Sequence, residues 1–138
     1  MDSKEANFVI KSNLKNATTF ISDASYARPM QSFLTGKFYE FYKNWLSQNG
    51  LAAWTEKFDC DNFAMNYYTF AQICNKKSSR KEQGIAVGIM FFRQDSGGGH
   101  AINFAIVENK TFITIEPQTG AVVILSQAEK DSCWFALL

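Results

Sequence analysis

A chain of 138 residues with 46% apolar and 15% aromatic side chains is long enough to bury one core, which excludes a disordered chain. Its formal net charge of +1 gives no electrostatic basis for binding nucleic acid or an anionic membrane. Three cysteines at wide spacing predict neither a disulfide framework nor a zinc site. The sequence lacks a secretory signal and any run near the roughly 20 apolar residues of a membrane span, so a cytoplasmic location is expected.

Residues 1–50 are predicted to form mainly helices. Apolar side chains between Phe8 and Ile21 predict one or two short helices, which end before Arg28 because the proline that follows it disfavours helical backbone. A stripe of aromatic and apolar side chains from Phe38 to Leu46 predicts another helix, with Thr35 as its expected cap. An Asn-Gly pair then ends this helix, and residues 51–59 lead into the next one.

The next helix is predicted to begin at Cys60. Asp59, Asp61 and Asn62 supply side-chain oxygens that can cap backbone N–H groups at a helix start. Apolar residues at spacings of three and four continue to about Cys74. A thiol at a helix N-terminus lies at the positive end of the helix dipole, which favours thiolate and suits a nucleophile. The alternative is that Cys60 is the first core residue of an amphipathic helix, because free cysteines are often buried.

The second half of the chain is predicted to consist of strands. The charged residues 75–82 predict an exposed connection. Strands punctuated by glycine and proline turns are expected over 85–92, 100–107, 111–115, 121–125 and 132–138. Short connections predict an antiparallel meander, and helices followed by such strands predict an α+β fold.

His100 is the one histidine of the sequence. It follows three glycines at the start of a strand, a position that presents a side chain beside a cleft. Glu116 ends the following strand, directly before Pro117. A nucleophile, a base and a group that orients the base form the general triad arrangement, and Cys60, His100 and Glu116 occur in that order.

Three segments carry a resemblance to a known family. Residues 58–64 (Phe-Asp-Cys-Asp-Asn-Phe-Ala), 99–103 (Gly-His-Ala-Ile-Asn) and 115–120 (Ile-Glu-Pro-Gln-Thr-Gly) resemble the papain-like cysteine hydrolase superfamily. The sequence is most similar to its transglutaminase-like peptidases and its papain-fold toxin and deamidase branch. The resemblance covers roughly residues 54–120.

This resemblance implies a single papain-like α+β domain over residues 1–138. Its helical region would occupy residues 1–57, and the catalytic helix would pack on an antiparallel sheet within residues 58–138. The implied function is a thiol hydrolase of amide bonds (a peptidase, amidase or protein-glutamine deamidase) that works through an acyl-enzyme. The implied partner is a protein or peptide substrate, with no cofactor and no metal.

The resemblance also implies residue roles. Cys60 is the nucleophile, His100 the general base and acid, and Glu116 the orienting acid. The family more often carries Asp or Asn at the position of Glu116, so Gln118, or else Asn103, is a substitute orienting residue.

A further role concerns the oxyanion. Papain-type enzymes carry a glutamine that helps to hold the oxyanion, and Trp54 lies near that position. An indole N–H can donate a hydrogen bond. The backbone N–H of Cys60 is the other candidate donor.

The register between two strands decides whether Glu116 can reach His100. A two-residue turn at Asn109-Lys110 places the two side chains on opposite faces of the sheet. A three-residue loop over Glu108–Lys110 instead sets Gln118 opposite His100, with Glu116 diagonal to it. The sequence leaves both registers open.

Two other classes of function remain open beside the hydrolase. The first is a binding or inhibitory module that uses the same fold without chemistry. The second is a structural component, of the kind that a phage or mobile element encodes. The sequence predicts no oligomeric state.

Overall fold

The computed structural model describes residues 1–78 and 82–138. Their helices are α1 (Ser3–Asn13), α2 (Gln31–Thr35), α3 (Lys37–Gln48), α4 (Cys60–Ser78) and α5 (Gln127–Asp131). Their strands are β1 (Thr18–Phe20), β2 (Tyr26–Ala27), β3 (Gly84–Ile85), β4 (Val87–Arg93), β5 (Gly99–Ile106), β6 (Phe112–Ile115), β7 (Val122–Val123) and β8 (Phe135–Leu137). Part of the connection predicted at 75–82, namely residues 79–81, lies outside the described residues. Within the described ranges, none of the helices combines the length and the apolar character needed to cross a membrane.

Six strands form one sheet in the order β1-β8-β4-β5-β6-β7. From β4 to β7, each strand is antiparallel to the one that follows it in the chain. The last strand, β8, returns to pair antiparallel with β4 and parallel with β1. The two remaining strands, β2 and β3, form a separate parallel pair.

The N-terminal region differs from the predicted helices. Thr18–Phe20 forms β1 instead of a helix, because its backbone pairs with β8: the Thr18 N–H donates to Trp134 O at 3.0 Å. Thr35 ends α2, and Gly36 rather than Thr35 precedes α3. A propensity for helix is a weak preference, which pairing to a distant strand overrides.

The sheet separates two apolar layers. The side chains that alternate along β4, β5 and β6 define an α1 face, which packs on α1, and an α4 face, which packs on α3 and α4. The α1 face includes Met90, Phe92, Ile102, Phe104 and Ile106. The α4 face includes Val87, Ala105, Ile113 and Ile115. A residue on β5 therefore belongs to one layer or the other according to its place in the alternation.

Helices α3 and α4 are joined by buried tyrosines. Tyr67 meets Phe38 and Tyr42 edge-on at ring-centroid distances of 4.9 and 5.2 Å. The Tyr42 hydroxyl donates to the Phe63 carbonyl at 2.9 Å. Burial raises the pKa of Tyr42, so this hydroxyl keeps its proton and remains a donor.

Candidate functional site

Cys60 is the first residue of α4. The Phe63 N–H donates to the Asp59 carbonyl at 3.0 Å, and the Asn62 side chain accepts from the Asp59 N–H at 3.1 Å, so this helix start is held by local bonds. Cys60 is a free, half-buried thiol that packs against the buried cluster of Ala64, Ile89 and Ala101. It therefore lies on the α4 face.

The other two thiols are in environments that keep them protonated. Burial raises the pKa of Cys74, and burial raises the pKa of Cys133 to about 11. The thiolate is the nucleophilic form of cysteine, so neither residue is suited to react at neutral pH.

Two carboxyl groups flank Cys60. A hydrogen bond with Asp59, followed by burial and by the charge of Asp59, raises the pKa of Asp61. Asp59, Cys60 and Asp61 each offer one metal-ligand atom, and these atoms lie within 4.8 Å of one another.

His100 and Glu116 form a hydrogen-bonded pair. Nε2 of His100 lies 2.9 Å from Oε2 of Glu116, and their side chains are 15% and 20% exposed. An ionised carboxylate can only accept, so Nε2 carries the proton and donates it. The His100 ring also meets Phe92 edge-on at 5.7 Å, which places it on the α1 face.

The three-residue loop is the register that the structure adopts. The Val107 N–H donates to Thr111 O at 2.9 Å across Glu108–Lys110, and Asn103 pairs with Ile115. Continuing this register sets Gln118 opposite His100, with Glu116 diagonal on the same face. The two-residue alternative is wrong, because it would pair Ile106 with Ile113, whereas the structure pairs Ile106 with Phe112.

The structure brings together two of the three predicted site residues. His100 and Glu116 are bonded on the α1 face, whereas Cys60 packs on the α4 face against the cluster that includes Ala101. Among the described residues, no hydrogen bond joins the Cys60 sulfur to the His100 ring. The predicted roles of these residues stay predictions.

The remaining predicted residues lie in three different settings. Asn103 is fully buried, and its Nδ2 donates to Ala64 O and Gly88 O, both at 3.0 Å. Gln118 has an exposed side chain and takes part through its backbone: its N–H donates to Oε1 of Glu116 at 3.2 Å. Trp54 is 52% exposed on the connection before α4.

One residue beside this site was missed by sequence reasoning. Tyr39 of α3 donates its hydroxyl to the Gln118 carbonyl at 2.7 Å. Burial, and then the charge of Glu116, raises the pKa of Tyr39. The aromatic pattern of α3 indicates only core packing, and Tyr39 lies beside that stripe, so no sequence signal separates it from its neighbours.

Comparisons with known proteins decide the family. The family described as "Ricin-type beta-trefoil lectin C-terminal domain" matches residues 9–133. The chain belongs to this family. The comparison with curated proteins gives no match.

Two solved structures share the fold. The structure named "PSL1a-E64 complex" has a TM-score of 0.82 at 20% identity and covers 100% of this chain and 51% of its own. The Polyporus squamosus lectin, bound to the epitope Neu5Acα2-6Galβ1-4GlcNAc, has a TM-score of 0.79 at 20% identity and covers 100% of this chain and 49% of its own. The lectin-family chain thus spans about half the length of these two relatives.

These findings correct the predicted family and fold. The comparisons contradict a papain-like cysteine hydrolase, and they replace it with the C-terminal domain of a lectin family, here built of mixed helix and sheet. The hydrolase function, with its thiol-protease and catalytic-triad descriptions, is contradicted by the same match. A capped helix start, a glycine-preceded histidine and a Glu-Pro turn are short local motifs, and such motifs do not determine a family or an activity.

Proposed function

We propose that this chain acts as a module of a carbohydrate-binding protein, with a glycan as its partner. The observation that carries the proposal is the family match over residues 9–133. The glycan named for the Polyporus squamosus lectin gives the ligand class to test first. This proposal replaces the protein or peptide substrate expected from the sequence, and the cytoplasmic location stays a prediction.

The test is glycan binding by the 138-residue chain itself. Isothermal titration with Neu5Acα2-6Galβ1-4GlcNAc, and with the same glycan lacking the terminal Neu5Ac, measures binding and the contribution of that sugar. A glycan array extends the test to other structures. Saturable binding to any of these glycans supports a carbohydrate site in this module, and a chain that binds none of them contradicts the proposal.

A second candidate function is favoured by a different observation. PSL1a is named in complex with E64, and this chain carries a half-buried thiol at the start of a helix. We propose that Cys60 is a thiol site that takes up E64, and that the bonded pair of His100 and Glu116, on the other face of β5, contributes to its reactivity. The pair would act on the thiol across the start of β5, where Ala101 belongs to the cluster on which Cys60 packs and the neighbouring His100 is bonded to Glu116.

Alkylation separates this site from an inert thiol. Brief iodoacetamide treatment of the folded chain at pH 8, followed by peptide mass spectrometry, is expected to modify Cys60 before Cys74 and Cys133, because burial raises the pKa of both other thiols. Incubation with E64 is expected to add mass on Cys60. First modification of Cys74, or equal modification of all three, contradicts the thiol site.

Two variants test the contribution of the pair. His100→Ala and Glu116→Gln are expected to slow alkylation of Cys60, with Asn66→Ala of the same helix as the control. Loss of an orienting carboxylate can slow a coupled site by several orders of magnitude, whereas an isolated thiol would keep its rate. Unchanged rates in both variants show that the pair is not part of the thiol site.

A further inference from the structure

We propose that Tyr39 is the residue that positions the pair of His100 and Glu116; this rests on the second candidate function above. Tyr39 belongs to α3, whereas residues 117–120 form the turn that follows Glu116 at the end of β6. The Tyr39 hydroxyl donates to the Gln118 carbonyl at 2.7 Å. This bond ties the turn to a helix that is itself anchored in the core.

The turn controls where the Glu116 carboxylate lies. The N–H groups of Thr119 and Gly120 donate to the Glu116 carbonyl at 3.2 and 2.8 Å. The Gln118 N–H donates to Oε1 of the same residue at 3.2 Å, while Oε2 meets Nε2 of His100 at 2.9 Å. One carboxylate oxygen is therefore held by the turn, and the other is presented to the imidazole.

The ring of Tyr39 closes the turn from the side of α3. A Cβ atom at Gly120 would lie 2.4 Å from the nearest atom of this ring, so only glycine lets the ring approach so closely. Gly120 also has a φ angle of +72°, which favours glycine for a second reason. The hydroxyl keeps its proton because burial and the charge of Glu116 raise the pKa of Tyr39.

These contacts link Tyr39 to the His100 imidazole in three steps. Tyr39 holds the turn, the turn holds the carboxylate, and the carboxylate orients the imidazole through Nε2. Hydrogen bonds weaken steeply as their angle departs from linearity, so a displaced turn weakens the bond to His100. Tyr39 thus acts through Glu116, and it is a positioning residue for the site.

The single histidine of the chain gives this proposal a direct readout. In ¹⁵N-labelled protein, the only imidazole signals come from His100, and the exchange of its Nε2 proton with water reports the bond to Glu116. Tyr39→Phe removes only the hydroxyl and is expected to speed this exchange about tenfold. Gly120→Ala, which displaces the ring, is expected to have the same effect.

Tyr42→Phe is the matched control. It removes a hydroxyl from the same helix that also donates to a backbone carbonyl, that of Phe63 at 2.9 Å, but not to the turn. The proposal requires the Nε2 proton of this control to exchange as in the parent chain. Unchanged exchange in Tyr39→Phe overturns it, and so does equal acceleration in Tyr42→Phe, because that result reflects a general loosening of α3.

The thiol site and the positioning role can fail separately. If His100→Ala leaves the alkylation rate of Cys60 unchanged, the thiol site is wrong, and the Nε2 signal still tests Tyr39. If that alkylation depends on His100 while Tyr39→Phe changes neither exchange nor alkylation, the site stands and the positioning role is wrong.

Discussion

Cys60 and the pair of His100 and Glu116 are placed by two different kinds of structure. The thiol begins α4, and the bonds at that helix start (Phe63 N–H to the Asp59 carbonyl, Asp59 N–H to the Asn62 side chain) join residues within a few positions of it. The pair joins residues 16 positions apart, and it forms only because β5 and β6 adopt one register. A helix start can therefore be recognised from neighbouring residues in the sequence, whereas the partner of a strand residue depends on pairing across the sheet.

On the α4 face, substitution of Asn103 is expected to lower stability the most. Its Nδ2 donates to Ala64 of α4 and to Gly88 of β4, so Asn103→Ala leaves two buried carbonyls without this donor. We expect the free energy of unfolding to fall by about 2–4 kcal/mol, measured by urea denaturation. Asn66→Ala, which removes a bond to Asn62 O within α4, should cost less than about 1 kcal/mol. Equal losses in the two variants would contradict the role of Asn103 as a link between helix and sheet.

The turn after β6, which holds Glu116, is the second place where a substitution should lower stability. Gly120→Ala combines a positive φ angle with a contact to the Tyr39 ring, and we expect it to lower the free energy of unfolding by about 2–3 kcal/mol. Gly50→Ala is its control, because Gly50 has a similar φ angle of +69° but no described atom within 4 Å of an added Cβ. The control should lose about 1 kcal/mol in the same urea titration. If Gly120→Ala lost no more unfolding free energy than Gly50→Ala, the contact with the Tyr39 ring would not contribute to the cost of the substitution.

The smallest effect is expected in the loop that sets the register. Asn109 adopts a left-handed conformation with a φ angle of 60°, which Asn tolerates better than Ala does. Asn109→Ala should therefore lower the free energy of unfolding by about 0.5–1 kcal/mol. The exposed Thr111, whose φ angle is −75°, provides a control substitution to Ala with little expected change. The register between β5 and β6 should persist in this variant, because a slip by one residue would move the buried side chains to the opposite face of the sheet. Loss of the His100 Nε2 signal in Asn109→Ala would contradict this expectation.

Part of the fold could be predicted because its signals are local. The helix that begins at Cys60, the end of α3 at Asn49-Gly50 and the strands from Gly84 onward follow from capping residues, periodicity and turn residues. The helix expected near Phe20 was wrong, because that segment pairs with β8 from the far end of the chain. The family predicted from the sequence was also wrong, because short motifs shared by unrelated folds carried the resemblance.

The sequence by itself determined that Cys60 begins a helix, that His100 lies in the first residues of a strand and that Glu116 lies directly after the next one. Only the tertiary structure decided that His100 meets Glu116, that Asn103 joins helix to sheet and that Tyr39 holds the turn. The physical reason is the range of the interactions. Capping and periodicity act within one or two helical turns, whereas register, the facing of alternate side chains and contacts between α3 and the turn after β6 depend on residues that lie far apart in the chain.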